Sequence, residues 1–313
     1  MRERRVGTSG LRTSVLGLGT MTWGRDTDAA DAAEQLHDFR DAGGTLVDTS
    51  STYAHGDAEQ ILGELVAGTK ARDELVLCTK GGRDASRRGL LADLDGSLER
   101  LRTDHVDLYL VACPDPAAPL EETVSALRLA VTSGRARYVG LSNHPGWASA
   151  RAASLLDDVG LTALEVEYSL LERGVEREVQ PAAAALGMGL LAWSPLGRGV
   201  LTGKYRRTVP ADSRAASPHL AGFVEPYLTQ RCGAIVDAVV TAAHGLGRTP
   251  AEIALAWLLA RDQVAAAIVG ARTPGQLRQS VAAVELELPD EVRAALDDVS
   301  ASPRGYPEMW PAP

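Results

Sequence analysis

Three polar side chains that can move protons stand at the ends of strand-like segments of this chain. A short β-branched run, residues 45–47, ends at Asp48, and Tyr53 follows five residues later. Another apolar run, residues 75–77, leads into Lys80. A nearby ammonium favours the phenolate form of tyrosine and lowers the pKa of the phenol toward neutral. If the strand ends meet, these three side chains together can act as a general acid that donates a proton.

Strand-like and helix-like segments alternate along the whole chain around these residues. Short apolar segments bounded by turn residues recur, and the segments between them have the helical period. The predicted strands lie at 16–20, 45–47, 74–79, 106–111, 136–141, 163–167, 189–192 and 264–269. Eight such units without an interrupting linker predict an α/β fold: a single (β/α)8 (TIM) barrel domain over residues 1–313.

Three segments lie outside this alternation. Residues 2–17 alternate around a Gly-Thr-Ser-Gly turn, which predicts an N-terminal β-hairpin. The stretch 194–224, after the seventh predicted strand, is rich in glycine, proline and serine and is typical of a lid or binding loop. The proline-rich residues 302–313 cannot be helical, so we expect a tail.

The composition of the chain argues against several classes of function. The chain is 45% hydrophobic and 23% charged with a net charge of −9, which disfavours nucleic acid or an anionic membrane as its main partner. Its three cysteines are far apart, which predicts neither disulfides nor a paired metal motif and favours a reducing cytoplasm. The six histidines have no metalloprotease spacing. We expect neither a signal peptide nor a membrane span, because no long apolar run is present.

Eight short motifs in a fixed order resemble the aldo-keto reductase family over nearly the whole chain. They are Gly17-Leu-Gly-Thr-Met; Asp48-Thr with Tyr53 and Glu59; Thr79-Lys80-Gly81; Asp104-His-Val-Asp-Leu-Tyr109; Ser133-Gly-Arg-Ala-Arg-Tyr-Val-Gly-Leu-Ser-Asn143; Glu167-Tyr-Ser-Leu-Leu171; Trp193-Ser-Pro-Leu-Gly; and Gly270-Ala-Arg-Thr273. The resemblance implies a TIM barrel that holds NADPH across its C-terminal face, without a Rossmann unit. It also implies an oxidoreductase that transfers hydride to a carbonyl of a small molecule, with the loop after the seventh strand covering the cofactor.

The resemblance assigns catalytic roles to the same three residues. It implies that Tyr53 is the general acid, that Lys80 tunes it and that Asp48 holds Lys80. The family's fourth member, a histidine, is replaced by Ala112. Losing a positioned acid–base group typically costs about 10²–10⁴-fold in rate.

Ala112 leaves three functions open. The protein could reduce a carbonyl with Tyr53 alone. The missing imidazole could instead let a substrate sit deeper, so that hydride reaches the β-carbon of an enone. Finally, the barrel could bind NADPH without catalysis and serve as a partner or sensor, as the potassium-channel β subunits of the family do.

The resemblance also implies a set of cofactor contacts. Glu165 stands where the family has a glutamine, so a hydrogen-bond donor to the nicotinamide amide is lost. Arg272 and Thr273 match contacts to the adenosine 2′-phosphate, which favours NADPH over NADH. The remaining predicted cofactor residues are Thr20, Ser142, Asn143, Trp193, Ser194, Leu196, Gly199, Lys204, Gly270 and Gln276.

Aromatic and histidine residues in the predicted rim loops form a candidate substrate pocket. Beside Ala112 and Phe223, the predicted substrate residues are Trp23, His55, His144, Trp147 and Trp310. Flat apolar walls suit sugars and polycyclic ketones alike, so a keto-sugar or another ketone of secondary metabolism fits. Substrate identity, oligomeric state and reaction direction stay open.

Overall fold

Eight parallel strands close into a barrel in the computed structural model, which describes residues 1–211, 213–303 and 305. The barrel order is β10-β3-β4-β5-β6-β7-β8-β9. Its strands are β3 Leu16–Gly19, β4 Leu46–Asp48, β5 Val76–Gly81, β6 Val106–Val111, β7 Ala136–Ser142, β8 Ala163–Glu167, β9 Gly189–Trp193 and β10 Val264–Val269. This closed barrel confirms the predicted (β/α)8 fold.

Helices surround the barrel, and several of them begin at a residue whose side chain caps the first turn. Asp28, Ser86 and Thr229 each accept a hydrogen bond from a backbone amide in the first turn of a helix. Thr249 and Glu252 form a reciprocal capping box. The helices are α1 Ala29–Asp41, α2 Asp57–Val66, α3 Ala71–Glu74, α4 Arg87–Leu101, α5 Leu120–Thr132, α6 Gly146–Leu155, α7 Val179–Leu186, α8 Ala221–Val224, α9 Gln230–Leu246, α10 Pro250–Leu259, α11 Pro274–Val281 and α12 Asp290–Ser300. Among the described residues, no helix is both long and apolar enough to span a membrane.

The predicted N-terminal hairpin is present as β1 Glu3–Arg5 and β2 Arg12–Ser14. Val6 and Leu11, in its turn, pack with the apolar side chains that point into the barrel. The guanidinium of Arg4 donates to the carbonyl oxygen of Val264, at the start of β10, over 2.7 Å. The hairpin therefore covers the end of the barrel where the strands begin, and the opposite end is left for a ligand.

The segment that follows β9 is folded rather than irregular. It contains short 3-10 turns at Gly197–Thr202 and Arg214–Ala216, and then α8. Arg198 fixes it, because its guanidinium donates to both carboxylate oxygens of Glu167 over 2.8 and 2.5 Å. The same guanidinium lies 4.1 Å from the ring centroid of Phe223. This segment thus forms one wall of the open end of the barrel.

Candidate active site

A cavity of about 520 Å³ opens where the barrel strands end. Gly19, Asp48, Lys80 and Trp193 reach it from the last residues of their strands, or close to them. The segment after β9 closes one side. Function in TIM barrels is concentrated at this face, because eight strand ends and their loops converge there.

Four residues, which we name the tyrosine cluster, occupy one part of the cavity: Tyr53, Lys80, Asp48 and Glu165. The Lys80 ammonium donates to Asp48 Oδ1 over 2.6 Å and to Glu165 Oε2 over 3.2 Å. It also lies 5.3 Å from the centroid of the Tyr53 ring. The three predicted catalytic residues therefore meet, and a second carboxylate joins them.

The protonation of the cluster differs from the prediction. Burial raises the pKa of the Tyr53 phenol, and Asp48 and Glu165 add to this effect, whereas Lys80 opposes it. Burial would lower the pKa of Lys80, but the two carboxylates outweigh burial and raise it. The expectation that Lys80 brings the phenol pKa toward neutral is thus wrong for this site. The loss of water around the buried phenol, together with the charge of Asp48, outweighs the single ammonium.

This arrangement still suits proton donation. A phenol with a raised pKa stays protonated at neutral pH, which is the form that a general acid needs. An alkoxide is a stronger base than a phenolate, so it can take this proton. Lys80 then lies close to the phenolate that remains and stabilises its charge.

Ala112 offers only a methyl group to the cavity, and its backbone carbonyl is already engaged. Asn143 Nδ2 donates to the Ala112 oxygen over 2.9 Å, and Trp193 Nε1 donates to Asn143 Oδ1 over 3.0 Å. The Asn143 amide therefore joins two loops of the rim. A cofactor amide would have to share or replace these bonds, which limits the role predicted for Asn143.

Three cations, which we name the cation group, line another part of the cavity: Lys204, Arg214 and Arg272. Within the described ranges, none of the three forms an ion pair, and Nε of Arg214 is buried without a hydrogen-bond partner. Burial lowers the pKa of Arg214, and the charge of Arg272 lowers it further. Burial also lowers the pKa of Lys204, with Arg214 and Arg272 adding to the effect and Tyr205 opposing it. Such a group is incomplete without an anion.

The backbone at the rim is strained where side chains meet the cavity. Asn143, Ser194 and Arg198 have φ values of 58°, 50° and 57°, a region that residues with a Cβ seldom adopt. All three line the cavity. Strain of this kind gathers at functional sites, where the surrounding fold holds it in place.

The predicted cofactor residues divide into two sets. Thr20 is buried, and its hydroxyl donates to the Asp48 carbonyl oxygen. Thr273 caps α11 with its hydroxyl. Neither belongs to the lining, whereas the others do: Ser142, Asn143, Glu165, Trp193, Ser194, Leu196, Gly199, Lys204, Gly270, Arg272 and Gln276.

Most of the predicted substrate walls lie elsewhere. Trp23 is fully buried and donates its indole N–H to Gln35 over 3.0 Å. It is therefore a core residue and not the substrate wall that the sequence predicted. Trp147 is 64% exposed on α6, away from the cavity.

The two histidines predicted to face the substrate also lie outside the lining. The His144 ring is buried and bonded to the Ser142 carbonyl oxygen over 2.7 Å, and His55 is exposed. Trp310 lies outside the described residues. Ala112 and Phe223 do line the cavity.

Sequence reasoning missed Arg214 and Arg198, which both line the cavity. Each is an isolated arginine in a segment whose apolar residues follow neither the helical nor the strand spacing. The only available signal was the number of basic residues in that glycine-rich segment.

The chain is similar to known proteins over nearly its full length. The model of the family described as "Aldo/keto reductase family" matches residues 15–301. An uncharacterized oxidoreductase, YrpG, of Bacillus subtilis (strain 168) is 37% identical, with 97% of this chain and 98% of that protein covered. A probable voltage-gated potassium channel subunit beta of Oryza sativa subsp. japonica is 34% identical, with 98% and 100% covered. Another of that description, from Arabidopsis thaliana, is 34% identical, with 91% and 92% covered.

Proposed function

Because this chain belongs to the aldo/keto reductase family, we propose that it is an NADPH-dependent oxidoreductase that reduces the carbonyl group of a small molecule. One observation carries the proposal. A single cavity joins the tyrosine cluster, which can donate a proton, to the cation group, which calls for an anion. A cofactor with a redox ring and several phosphates matches both requirements at once.

Tyr53 donates the proton in this proposal. NADPH, when bound, supplies hydride to the carbonyl carbon. The Tyr53 hydroxyl gives its proton to the carbonyl oxygen, so the product is an alcohol and the residue is left as phenolate. Lys80 stabilises that phenolate, and Asp48, 2.6 Å from the ammonium, fixes its position.

The cation group binds the phosphates of the cofactor in this proposal. Arg214 and Arg272 present planar forks of N–H donors, which match phosphate oxygens. Gly199 has a φ of 94°, and a Cβ placed there would lie 3.5 Å from the Lys204 nitrogen. A third phosphate distinguishes NADPH from NADH, and three cations without carboxylate partners in the described chain suit the more highly charged cofactor.

Ala112 supports a second candidate reaction. The Ala112 methyl group occupies less of the cavity than an imidazole would, and Tyr53 lines the same cavity. A substrate that enters this room can present the β-carbon of an enone to the hydride. Reduction of an activated carbon–carbon double bond is therefore the alternative to carbonyl reduction.

The likeness to two proteins named as potassium channel subunits supports a third candidate, a cofactor-binding partner or sensor. We place it below the enzyme. A protein that only binds NADPH gains nothing from a buried Asp48–Lys80 pair beside a phenol, whereas a reductase needs that pair. Cytoplasmic location fits three free cysteines, and a role in secondary metabolism stays a prediction.

The proposal is tested by mixing the protein and NADPH with a simple aldehyde, a quinone and an α,β-unsaturated ketone in parallel. Loss of nicotinamide absorbance with any of the three, and loss of that reaction in Tyr53→Phe, supports the enzyme. The substrate that reacts separates carbonyl from double-bond reduction. Tight NADPH binding without any turnover, unchanged after Ala112→His, would favour the sensor instead.

A further inference from the structure

The tyrosine cluster contains one more carboxylate than its single ammonium can neutralise. Asp48 and Glu165 both accept from Lys80, and both side chains are only 3% exposed. Oxygen atoms of the two carboxylates and the Cys78 sulfur all lie within 4.8 Å of one another. Two negative charges at this distance in a buried site repel each other strongly.

Within residues 1–211, 213–303 and 305, no cation other than Lys80 forms an ion pair with Asp48 or Glu165. Lys80 and Cys78 come from β5, Asp48 from β4 and Tyr53 from the turn that follows β4. The strands that flank β8 present Ser142 and Leu191 in register with Glu165, and neither carries a charge. Burial raises the pKa of the Cys78 thiol, so it stays neutral. Among the residues that the structure describes, the only positive charge beside Asp48 and Glu165 is therefore Lys80.

We infer that Glu165 holds a proton in the resting protein and positions Lys80 as a neutral carboxylic acid, so that Asp48 is the only carboxylate paired with the ammonium. The geometry agrees with an unequal pair. Lys80 lies 2.6 Å from Asp48 but 3.2 Å from Glu165, as expected when one partner is charged and the other neutral.

The electrostatics of the site point the same way. Burial, followed by the charge of Asp48, raises the pKa of Glu165 to about 8, although Lys80 opposes the shift.

The consequence deepens the proposed function and rests on it. With Glu165 protonated, the resting cluster is neutral, and donation of the Tyr53 proton leaves a single negative charge in excess. With Glu165 ionised, the same step would leave two. Glu165 therefore acts on Tyr53 through Lys80, as a positioning residue. Its protonation lowers the electrostatic cost of forming the Tyr53 phenolate.

The protonation can be tested without cofactor or turnover, by urea unfolding of wild type and Glu165→Gln between about pH 5 and pH 8. Glutamine mimics the neutral acid in shape. Native Glu165 keeps a proton that the unfolded chain loses above about pH 4.3, so wild-type stability falls as pH rises through this window. The unfolding constant of wild type should therefore rise relative to that of the variant, by up to about tenfold per pH unit.

Glu167→Gln is the matched control. Glu167 lies two residues away on the same strand, but both of its carboxylate oxygens accept hydrogen bonds from the guanidinium of Arg198. Its difference from wild type should not grow with pH. A Glu165→Gln difference that is flat, or that reverses sign, between about pH 5 and pH 8 would overturn the inference.

A second measurement needs no variant. In D2O at pH 7, the ordinary carboxyl groups among the 41 Asp and Glu residues are ionised, so the infrared band of a protonated carboxyl should report Glu165. The band should vanish as the pH rises through about 8. Absence of the band at pH 7 would also overturn the inference.

The positioning role is tested separately by the pH profile of kcat/KM. Wild type should lose activity as the pH rises through about 8, and Glu165→Gln should remove that descending limb. Protonated Glu165 in a protein that never oxidises NADPH would leave this inference standing and overturn the proposed function. An unchanged descending limb in Glu165→Gln would refute the positioning role.

Discussion

The tyrosine cluster and the cation group lie in one cavity but are built in opposite ways. In the cluster, Lys80 already donates to the side chains of Asp48 and Glu165, and both reach it from barrel strands. In the cation group, Arg214 keeps a buried Nε without a partner, and the three positive charges repel one another. The first region is complete without a ligand, whereas the second is complete only with one.

The difference follows from where the residues stand. Asp48, Lys80 and Glu165 lie on strands whose positions the barrel fixes. Lys204 and Arg214 lie on the segment after β9, and Arg272 lies between β10 and α11. Strands hold reacting groups rigidly, while loops can close on a bound anion. We therefore expect chemistry from the first region and affinity from the second.

The largest expected effect is that of Tyr53→Phe. Removing the only proton donor that we assign should lower kcat by about 10²–10⁴-fold, while NADPH affinity stays nearly unchanged. Kinetics with the reactive substrate and a fluorescence titration with NADPH measure the two quantities. Tyr138→Phe is the control, because that tyrosine lies on β7 outside the cavity lining. A variant that keeps wild-type kcat would show that the cluster does no chemistry.

Arg214→Ala should act on the other region. Loss of a hydrogen-bonded charge costs about 1.5–3 kcal/mol, so NADPH affinity should fall by about tenfold or more while NADH affinity changes little. Arg206→Ala on the same segment is the control, because Arg206 is exposed and paired with Asp237 over 2.7 Å. Equal losses of affinity for NADPH and NADH would mean that Arg214 does not bind the additional phosphate of NADPH.

Ala112→His should give a smaller and selective change in the tyrosine cluster. Imidazole can orient a carbonyl oxygen toward Tyr53 and also fills the room that an enone needs. Aldehyde reduction should rise by about tenfold relative to enone reduction, as measured by kcat/KM for each. Ala112→Ser, which adds a polar atom without the ring, should not shift the ratio. No change in the histidine variant would mean that residue 112 does not set the reaction type.

The fold could be predicted from the sequence because its signals are periodic. The strand expected at 106–111 is observed as Val106–Val111, and the strand expected at 163–167 is observed as Ala163–Glu167. A parallel strand that is buried on both faces appears in the sequence as a continuous apolar run. The meeting of Asp48, Lys80 and Tyr53 followed from the same regularity.

The rest of the site depends on where single side chains point, which the sequence does not record. Trp23 occupies a rim loop yet turns inward to Gln35, and Trp147 turns outward to solvent. Arg214 enters the cavity from a segment without period. The sequence indicates Glu165 only as a lost hydrogen-bond donor, because its contact with Lys80 depends on how β5 and β8 are placed around one barrel.

We assign catalysis to the tyrosine cluster and cofactor binding to the cation group. The most direct test is the rate of NADPH oxidation in a stopped-flow instrument, measured over a range of NADPH concentrations with the substrate that reacts. Tyr53→Phe should lower the maximal rate and leave the half-saturating NADPH concentration unchanged. Arg214→Ala should raise the half-saturating concentration and leave the maximal rate close to wild type. If both variants changed both quantities alike, or neither changed either, the cavity would not be divided into a region that reacts and a region that binds.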